Sequence, residues 1–489
     1  MYLTRQIQIK KGHSMYAYFE NLCRLSNNLY NTTSYYIRQY ATSCKSFEEM
    51  KPLFVNQMEI FNLVNEVTNG TKFFPTKNSW LTYNQLDYIF KESKNVDYYN
   101  LPAHINQQVM KMVLRDYKSY FESLKEYKQN PIKFLGQPKL PRYKKSGGLT
   151  TTILTNQVCV IKDNKYLKFP KTKDTLNILK CGEVGKLKEV RVKPHFKGFT
   201  IDVVMEQKFP NEIEMVDNDT LLKQYKEYNE CSERALAIDI GLSNLCACVN
   251  NFGEQPFLVK GTILKSANHY YNKKIAYLKS IAKSINDLDY TKQMHRLTTK
   301  RNNIIKDYMH KTSNYIVQYA IKNSVTLVIV GHNKGQKQEI NLGTQNNQNF
   351  VSIPTNILIS QLRYKLSKAG IVFVEIEESY TSQASFIDND NLPTYCAKNN
   401  NKNNDNKEQE NHIFSGKRVK RGLYQTKDNL LVNADINGSA NILRKVFPKV
   451  KQWDSGIVAM PFVANVLQKV VFNDLLLATK KPPLQTVFC

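Results

Sequence analysis

The spacing of apolar positions changes twice along the chain, and each change marks a different kind of element. The first residues, MYLTRQIQIKKGHSM, alternate and predict one strand within 1–15. From Tyr16 the spacing turns helical. Phe19, Leu22, Cys23, Leu29 and Tyr36 fall on one face, and helices are expected to continue to about residue 130. The clearest spans Ile105 to Tyr127, where Met110, Leu114, Tyr117, Phe121 and Leu124 recur. Pro131, Gly136, Pro138 and Pro141 then punctuate a basic stretch, PIKFLGQPKLPRYKKSGG, that cannot be helical. It leads into alternating segments at Leu187 to Val192 and Thr200 to Met205, which predict a β-domain.

A third regime begins at 234. Ala235 to Ile238 is an apolar run without alternation, which suits a strand covered on both faces, and Asp239 stands where the run stops. Leu245 to Val249 and Phe257 to Val259 complete an expected antiparallel meander, with Asn250-Asn251-Phe252-Gly253 as the turn between them. A long helical region over 264–323 follows, with Ile275, Leu278, Ile281 and Ile285 on one stripe. Strands at Val325 to Val330 and Ile371 to Ile376 flank a helix at Ile357 to Lys368. In Leu430 to Val446, Asp435 sits where a helix with Ile436, Ala440, Leu443 and Val446 begins.

Composition narrows the class of partner. With 69 Lys+Arg against 42 Asp+Glu in 489 residues, the formal charge is +27 and the chain calls for a polyanion. Nucleic acid fits better than a membrane surface, because the basic residues are spread along the whole chain and no apolar run reaches membrane-spanning length. The N-terminus lacks the apolar core of a signal peptide, so a cytoplasmic, nucleoid-associated protein is expected. The nine cysteines include no C-x-x-C pair, which gives no sign of a disulfide framework or of a structural zinc site.

An acid ending a buried strand and a second opening a helix are what a two-metal phosphodiester hydrolase requires, since paired divalent ions need converging carboxylates. For one Asp alone, capping a loop is the competing role. The segments Asp-Ile-Gly-Leu-Ser-Asn at 239–244, Glu-Ser-Tyr-Thr-Ser at 378–382 and Asn-Ala-Asp-Ile-Asn-Gly-Ser-Ala-Asn-Ile at 433–442 together resemble the split RuvC-like nuclease of TnpB proteins. Those are transposon-encoded, RNA-guided relatives of type V CRISPR effectors.

The resemblance implies an α+β multidomain chain, with a β-barrel wedge domain at 1–15 and 131–233 and a helical recognition lobe at 16–130 inserted into it. An RNase H-like (RuvC) nuclease domain would span 234–450, carrying the helical insertion 264–323 and a low-complexity Asn/Lys loop at 397–412. The tail 451–489 stays unassigned. It also implies an Mg²⁺-dependent endonuclease with a guide RNA and double-stranded target DNA as partners, Asp239 and Asp435 being metal ligands. The more familiar pattern places a catalytic Glu after the fourth strand, where this chain has Gly331. The neighbouring strand ends in Glu375-Ile376-Glu377-Glu378, and a parallel neighbour lies only about 5 Å away, so a relocated Glu is feasible. Strand parity sends Glu377 and Glu378 to opposite faces, so one of the two is expected at the metals and the sequence leaves open which. Without such a replacement, the chain would be a guided DNA-binding protein that does not cut. Expected phosphate contacts are Lys139, Arg142, Lys144 and Lys145 in the basic loop, Lys300 and Arg301 in the helical insertion, and Lys417, Arg418, Lys420 and Arg421 before Asp435.

Overall fold

Strand alternation and helical stripes resolve into the elements of a computed structural model that describes residues 2–75, 80–178, 185–196, 198–209, 233–286, 290–333, 353–393, 413–420, 422–448 and 460–467. Of the features read above, the Asn/Lys tract 397–412, Arg421, residues 210–232 and the tail other than 460–467 lie outside the described residues. The chain divides into two units, Met1–Lys208 and Phe209–Cys489.

In the first unit, β1 (Tyr2–Lys10) pairs antiparallel with β7 (Gly198–Glu206), from Tyr2 opposite Glu206 to Lys10 opposite Gly198. The sheet runs β1-β7-β6-β2, with β6 at Lys186–His195 and β2 at Thr152–Thr155. The first ten residues are therefore joined to a segment nearly 200 positions later. A small sheet holds β3 (Val160–Lys162), β4 (Tyr166–Lys168) and β5 (Thr175–Asn177). Between β1 and these strands come α1 (Tyr16–Glu48), α2 (Val55–Thr68), α3 (Tyr83–Glu92), α4 (Val96–Tyr99) and α5 (Ala103–Gln129). Phe19 of α1 meets Phe169 and Phe199 at ring distances of 5.1 and 6.1 Å, so helix and strands share one core.

The second unit is built on a mixed sheet in the order β12-β11-β8-β9-β10-β16. β8 (Ala235–Asp239), β9 (Asn244–Asn250) and β10 (Phe257–Lys260) form the antiparallel meander. β11 (Leu327–Gly331) lies parallel to β8, and β12 (Val372–Ile376) parallel to β11. β16 (Phe462–Val463) adds a short edge beside β10. The helices are α6 (Thr262–Asn286), α7 (Lys292–Lys322), α8 (Thr355–Lys368) and α9 (Ala434–Val446). A three-stranded sheet of β13 (Lys417–Lys420), β14 (Leu423–Gln425) and β15 (Leu431–Asn433) precedes α9.

Both faces of the mixed sheet are covered, as the unalternating run at Ala235 to Ile238 requires. Leu236, Ile238, Val328 and Val330 pack with residues of α7 and α8, including Met309, Ile316 and Leu362. Ala235, Ala237, Leu327 and Ile329 pack with Ile436, Ala440 and Ile442 of α9. The two small alanines let α9 approach closely, and the Ser439 hydroxyl donates to the Ala237 carbonyl at 3.0 Å. Parity then fixes where Asp239 goes: it shares a face with Ala235 and Ala237 and emerges on the α9 side. Among the described residues, no helix is long and apolar enough to cross a membrane.

Candidate active site

Because β8, β11 and β12 run parallel, their C-terminal ends share one edge, with Val330 opposite Ile238 and Gly331 opposite Ile376. Asp239 is thus delivered beside Gly331, and the chain beyond Ile376 passes over the same edge. α9 supplies the next acid. Asn433 caps the helix, its side-chain oxygen accepting from the N–H groups of Asp435 and Ile436 at 3.0 and 3.1 Å. Asp435 therefore lies in the first turn, where the helix dipole favours a negative charge. Its two oxygens are oriented by Asn244, whose Nδ2 donates at 2.6 Å, and by Arg418, whose Nη2 donates at 3.1 Å.

Asp239 and Asp435 are joined by Glu378 and not by Glu377. The Glu378 carboxylate reaches over Gly331, lying 3.1 Å from where a Cβ on that glycine would stand. The same Cβ would lie 2.4 Å from Ile442 Cδ1, so the missing side chain is what admits both Glu378 and α9. Backbone contacts hold Glu378: its N–H donates to Asn333 Oδ1 at 3.1 Å, and its carbonyl accepts from the Thr381 hydroxyl at 2.9 Å. Glu377 turns the other way. Lys445, nearly buried on α9, donates to Glu377 Oε2 at 2.8 Å and also to the carbonyls of Glu377 and Ser379. Glu375, on the opposite face, is engaged by Arg363 and by His332, whose Nδ1 lies 3.3 Å from Oε2. Asp388 and Asp390 bind backbone N–H groups of Lys427, Ser385 and Ser415, a structural use of both acids.

The convergence has an electrostatic signature. Asp239 keeps a path to solvent, yet surrounding atoms bury its carboxyl deeply enough to push its pKa up to about 7. Desolvation is the main cause, the charges of Glu378 and Asp435 add to it, and Arg418 opposes it. Gly438 of α9 makes this approach possible, since a Cβ there would stand 2.8 Å from Asp239 Oδ2. Among the described residues, no three His, Cys, Asp or Glu side chains are drawn tightly enough to enclose a metal ion as they stand. The acids converge on one edge without forming a closed cage.

The polar residues of α9 that sequence reasoning passed over hold this arrangement together. Asn437 bonds the Phe386 N–H at 2.9 Å and the Ala384 carbonyl at 2.8 Å, and Asn441 Nδ2 reaches the Thr381 carbonyl at 2.9 Å. Asn433, Asn437, Asn441 and Lys445 recur every four residues on one helical ridge, a signal that was present in the sequence. Asn433 caps the helix, while Asn437, Asn441 and Lys445 clamp the loop around Glu378.

The expected phosphate contacts fall in several places. Lys139, Arg142, Lys144 and Lys145 are all exposed. Their loop is pinned to α1 by side chains: Asn31 bonds the Lys144 backbone at 3.0 and 2.7 Å, Asn27 bonds the Lys145 carbonyl at 3.0 Å, and the Lys144 ammonium stands 4.5 Å from the Tyr30 ring centre. Lys417, Arg418 and Lys420 are exposed on β13, although Arg418 is also an Asp435 partner. Lys300 is exposed, whereas Arg301 is half-buried, its Nε donating to Asn268 Oδ1 at 2.7 Å and so tying α7 to α6.

Two family models match the chain. OrfB_IS605, described as a probable transposase, matches residues 212–337, which include Asp239 and Gly331. The Cas12f1-like TNB domain matches 356–442, which include Glu378 and Asp435. No curated protein matches. Among solved structures, the chain is similar to a Cas12f1–sgRNA–target DNA complex, at 14% identity over 90% of this chain and 98% of that one, with a TM-score of 0.29. It is also similar to Alicyclobacillus acidoterrestris C2c1 with single-guide RNA, at 10% identity over 86% and 70%, TM-score 0.33. CasPhi-2 (Cas12j) bound to crRNA and phosphorothioate-DNA matches at 8% identity over 92% of each chain, TM-score 0.35. The two family models fall on consecutive parts of one α+β unit, so each is a likeness over its own stretch of the chain.

Proposed function

We propose that this protein is an RNA-guided DNA endonuclease of the TnpB type, associated with a transposable element, whose RuvC-like domain at 234–450 hydrolyses phosphodiester bonds. The observation that carries the reading is the meeting of Asp239, Glu378 and Asp435 on one sheet edge, close enough that two of the acids raise the pKa of the third. The donor set fits Mg²⁺, a hard cation that takes oxygen ligands, keeps several waters and needs no closed protein cage. When bound, a divalent pair neutralises charge on the phosphate and activates the attacking water. The protein's own part is to bring the three carboxylates together and hold them aligned. Asn244 and Arg418 orient Asp435, Asn333 and Thr381 fix Glu378, and Lys445 keeps Glu377 out of the group.

The wedge domain at 1–15 and 131–233 and the helical lobe at 16–130 would carry guide RNA and double-stranded DNA, with Lys139, Arg142, Lys144, Lys145, Lys300, Lys417 and Lys420 on phosphates. The charge of +27 supports a polyanionic partner. A second reading, guided DNA binding without cleavage, is favoured by the glycine at 331. A paired assay decides between them: RNA recovered with the protein is sequenced, and the same preparation is tested for Mg²⁺-dependent nicking of matched DNA. Asp239→Ala and Asp435→Ala should each abolish nicking and leave guide and target binding nearly unchanged. A parent that binds its matched DNA and never nicks it leaves the second reading.

A further inference from the structure

We propose that the outward face of α6 is a stacking platform for a single DNA strand, the one presented to the carboxylates. This deepens the endonuclease reading and rests on it for the identity of the strand. α6 turns Leu264, Asn268 and Ala282 inward. Its opposite face carries Tyr270, Lys273, Lys274, Tyr277, Ile281 and Ile285, which at ~100° per residue occupy an arc of roughly 120° along about 22 Å of helix. The apolar members are exposed: Tyr270 by 54%, Tyr277 by 60%, Ile281 by 36% and Ile285 by 71%. The stripe predicted from sequence thus divides, Ile275 and Leu278 lying half-buried while Ile281 and Ile285 face solvent.

Charge selects the occupant. α6 contains Lys265, Lys273, Lys274, Lys279 and Lys283 and no Asp or Glu in its 25 residues. A second copy laid on this face would bring lysine-rich helices together with no acid of α6 between them. A polyanion whose units also carry flat rings satisfies both properties, with phosphates on the lysines and bases on the tyrosines. Tyr270 and Tyr277 stand about 10 Å apart along the axis, room for successive bases of an extended strand. A duplex keeps its rings stacked inside and cannot use the tyrosines.

The helix also starts in the right place. The Gly261 N–H donates to the Ser243 carbonyl at 2.8 Å, and Lys265 Nζ donates to Ser243 Oγ at 2.7 Å. The next residue, Asn244, is the one that orients Asp435. α6 therefore leaves from the loop beside the carboxylates, and its first exposed tyrosine follows about 12 Å along the axis.

The test compares the full chain with Tyr270→Ala/Tyr277→Ala and Tyr270→Phe/Tyr277→Phe, both on exposed positions. Fluorescence anisotropy reads affinity for a mixed-sequence single-stranded DNA, its duplex and the same sequence as RNA, across a salt series. The expected result is a loss of about tenfold or more for single-stranded DNA in the Ala variant, with duplex affinity and salt slope unchanged and the Phe variant close to parent. Unchanged single-strand affinity, an equal loss for duplex, or a loss confined to RNA overturns the proposal. So does a change of oligomeric state by light scattering with DNA affinity intact. Binding is read without cleavage, so a parent that shows the single-strand effect and never cuts overturns only the nuclease reading. A cutting parent with no effect in the Ala variant overturns only the platform.

Discussion

Glu377 and Glu378 are chemically alike and adjacent, yet the structure gives them different partners, Lys445 for the one and the edge beside Asp239 for the other. Glu378→Gln is expected to cut Mg²⁺-dependent cleavage by about a hundredfold or more at unchanged DNA binding, while Glu377→Gln stays within a few-fold of the parent. Cleavage and binding measured on the same preparations check this, and the reverse order would remove Glu378 from the site. Asp239 makes a second prediction at this scale. Its folded pKa is raised to about 7 from the ordinary aspartate value of 3.8, so between those values the folded state holds a proton that the unfolded chain has lost. The stabilisation is full below the lower value and is lost as pH rises through the upper one. Without metal, Asp239→Asn should therefore melt several degrees above the parent at pH about 8 and lose that advantage near pH about 4, and Mg²⁺ should narrow the gap at the higher pH. Thermal melts at both pH values, with and without Mg²⁺, test the sign.

At the scale of the element, α9 is the part to which the others are fitted. Gly438→Ala would place a Cβ 2.8 Å from Asp239 Oδ2, so either the helix or the carboxylate must give way. Cleavage should fall much further than thermal stability, and equal losses in both would make the glycine merely structural. Asn441→Ala removes the donor shared by the Thr381 and Ala384 carbonyls, at a cost of about 1–3 kcal/mol in a buried setting. Denaturant unfolding would measure that loss, accompanied by slower cleavage because the same loop carries Glu378. The sequence announced α9 clearly through its apolar spacing. Its every-fourth-residue polar ridge was equally present, but the partners of that ridge, residues 381–386, lie some fifty positions away.

For the whole molecule, charge sets the behaviour with nucleic acid. Affinity for DNA or RNA should fall steeply and linearly on a log–log plot against salt, and each phosphate-binding lysine removed should lower the slope by about 1. Lys145→Ala suits this test, because Asn27 and Asn31 of α1 hold the loop through backbone atoms of residues 144 and 145 and these bonds survive its side chain's removal, whereas Lys144→Ala would also remove the contact with the Tyr30 ring. A flat salt response would show that binding does not rest mainly on phosphate contacts.

The sequence by itself determined the element types, the meander whose first strand ends in Asp239, the helix opening at Asp435 and the demand for a polyanion, because periodicity and charge are local properties. The family resemblance put the expected third acid at Glu377 or Glu378, and parity implied that only one of the two faces the other acids. Only the tertiary structure shows which of them faces Asp239 and Asp435: Lys445 holds Glu377 to one side, and the space above Gly331 admits Glu378. It also decided which apolar residues of α6 remain outside. Helical spacing states that positions share a face, and only the arrival of α7 states which face is covered.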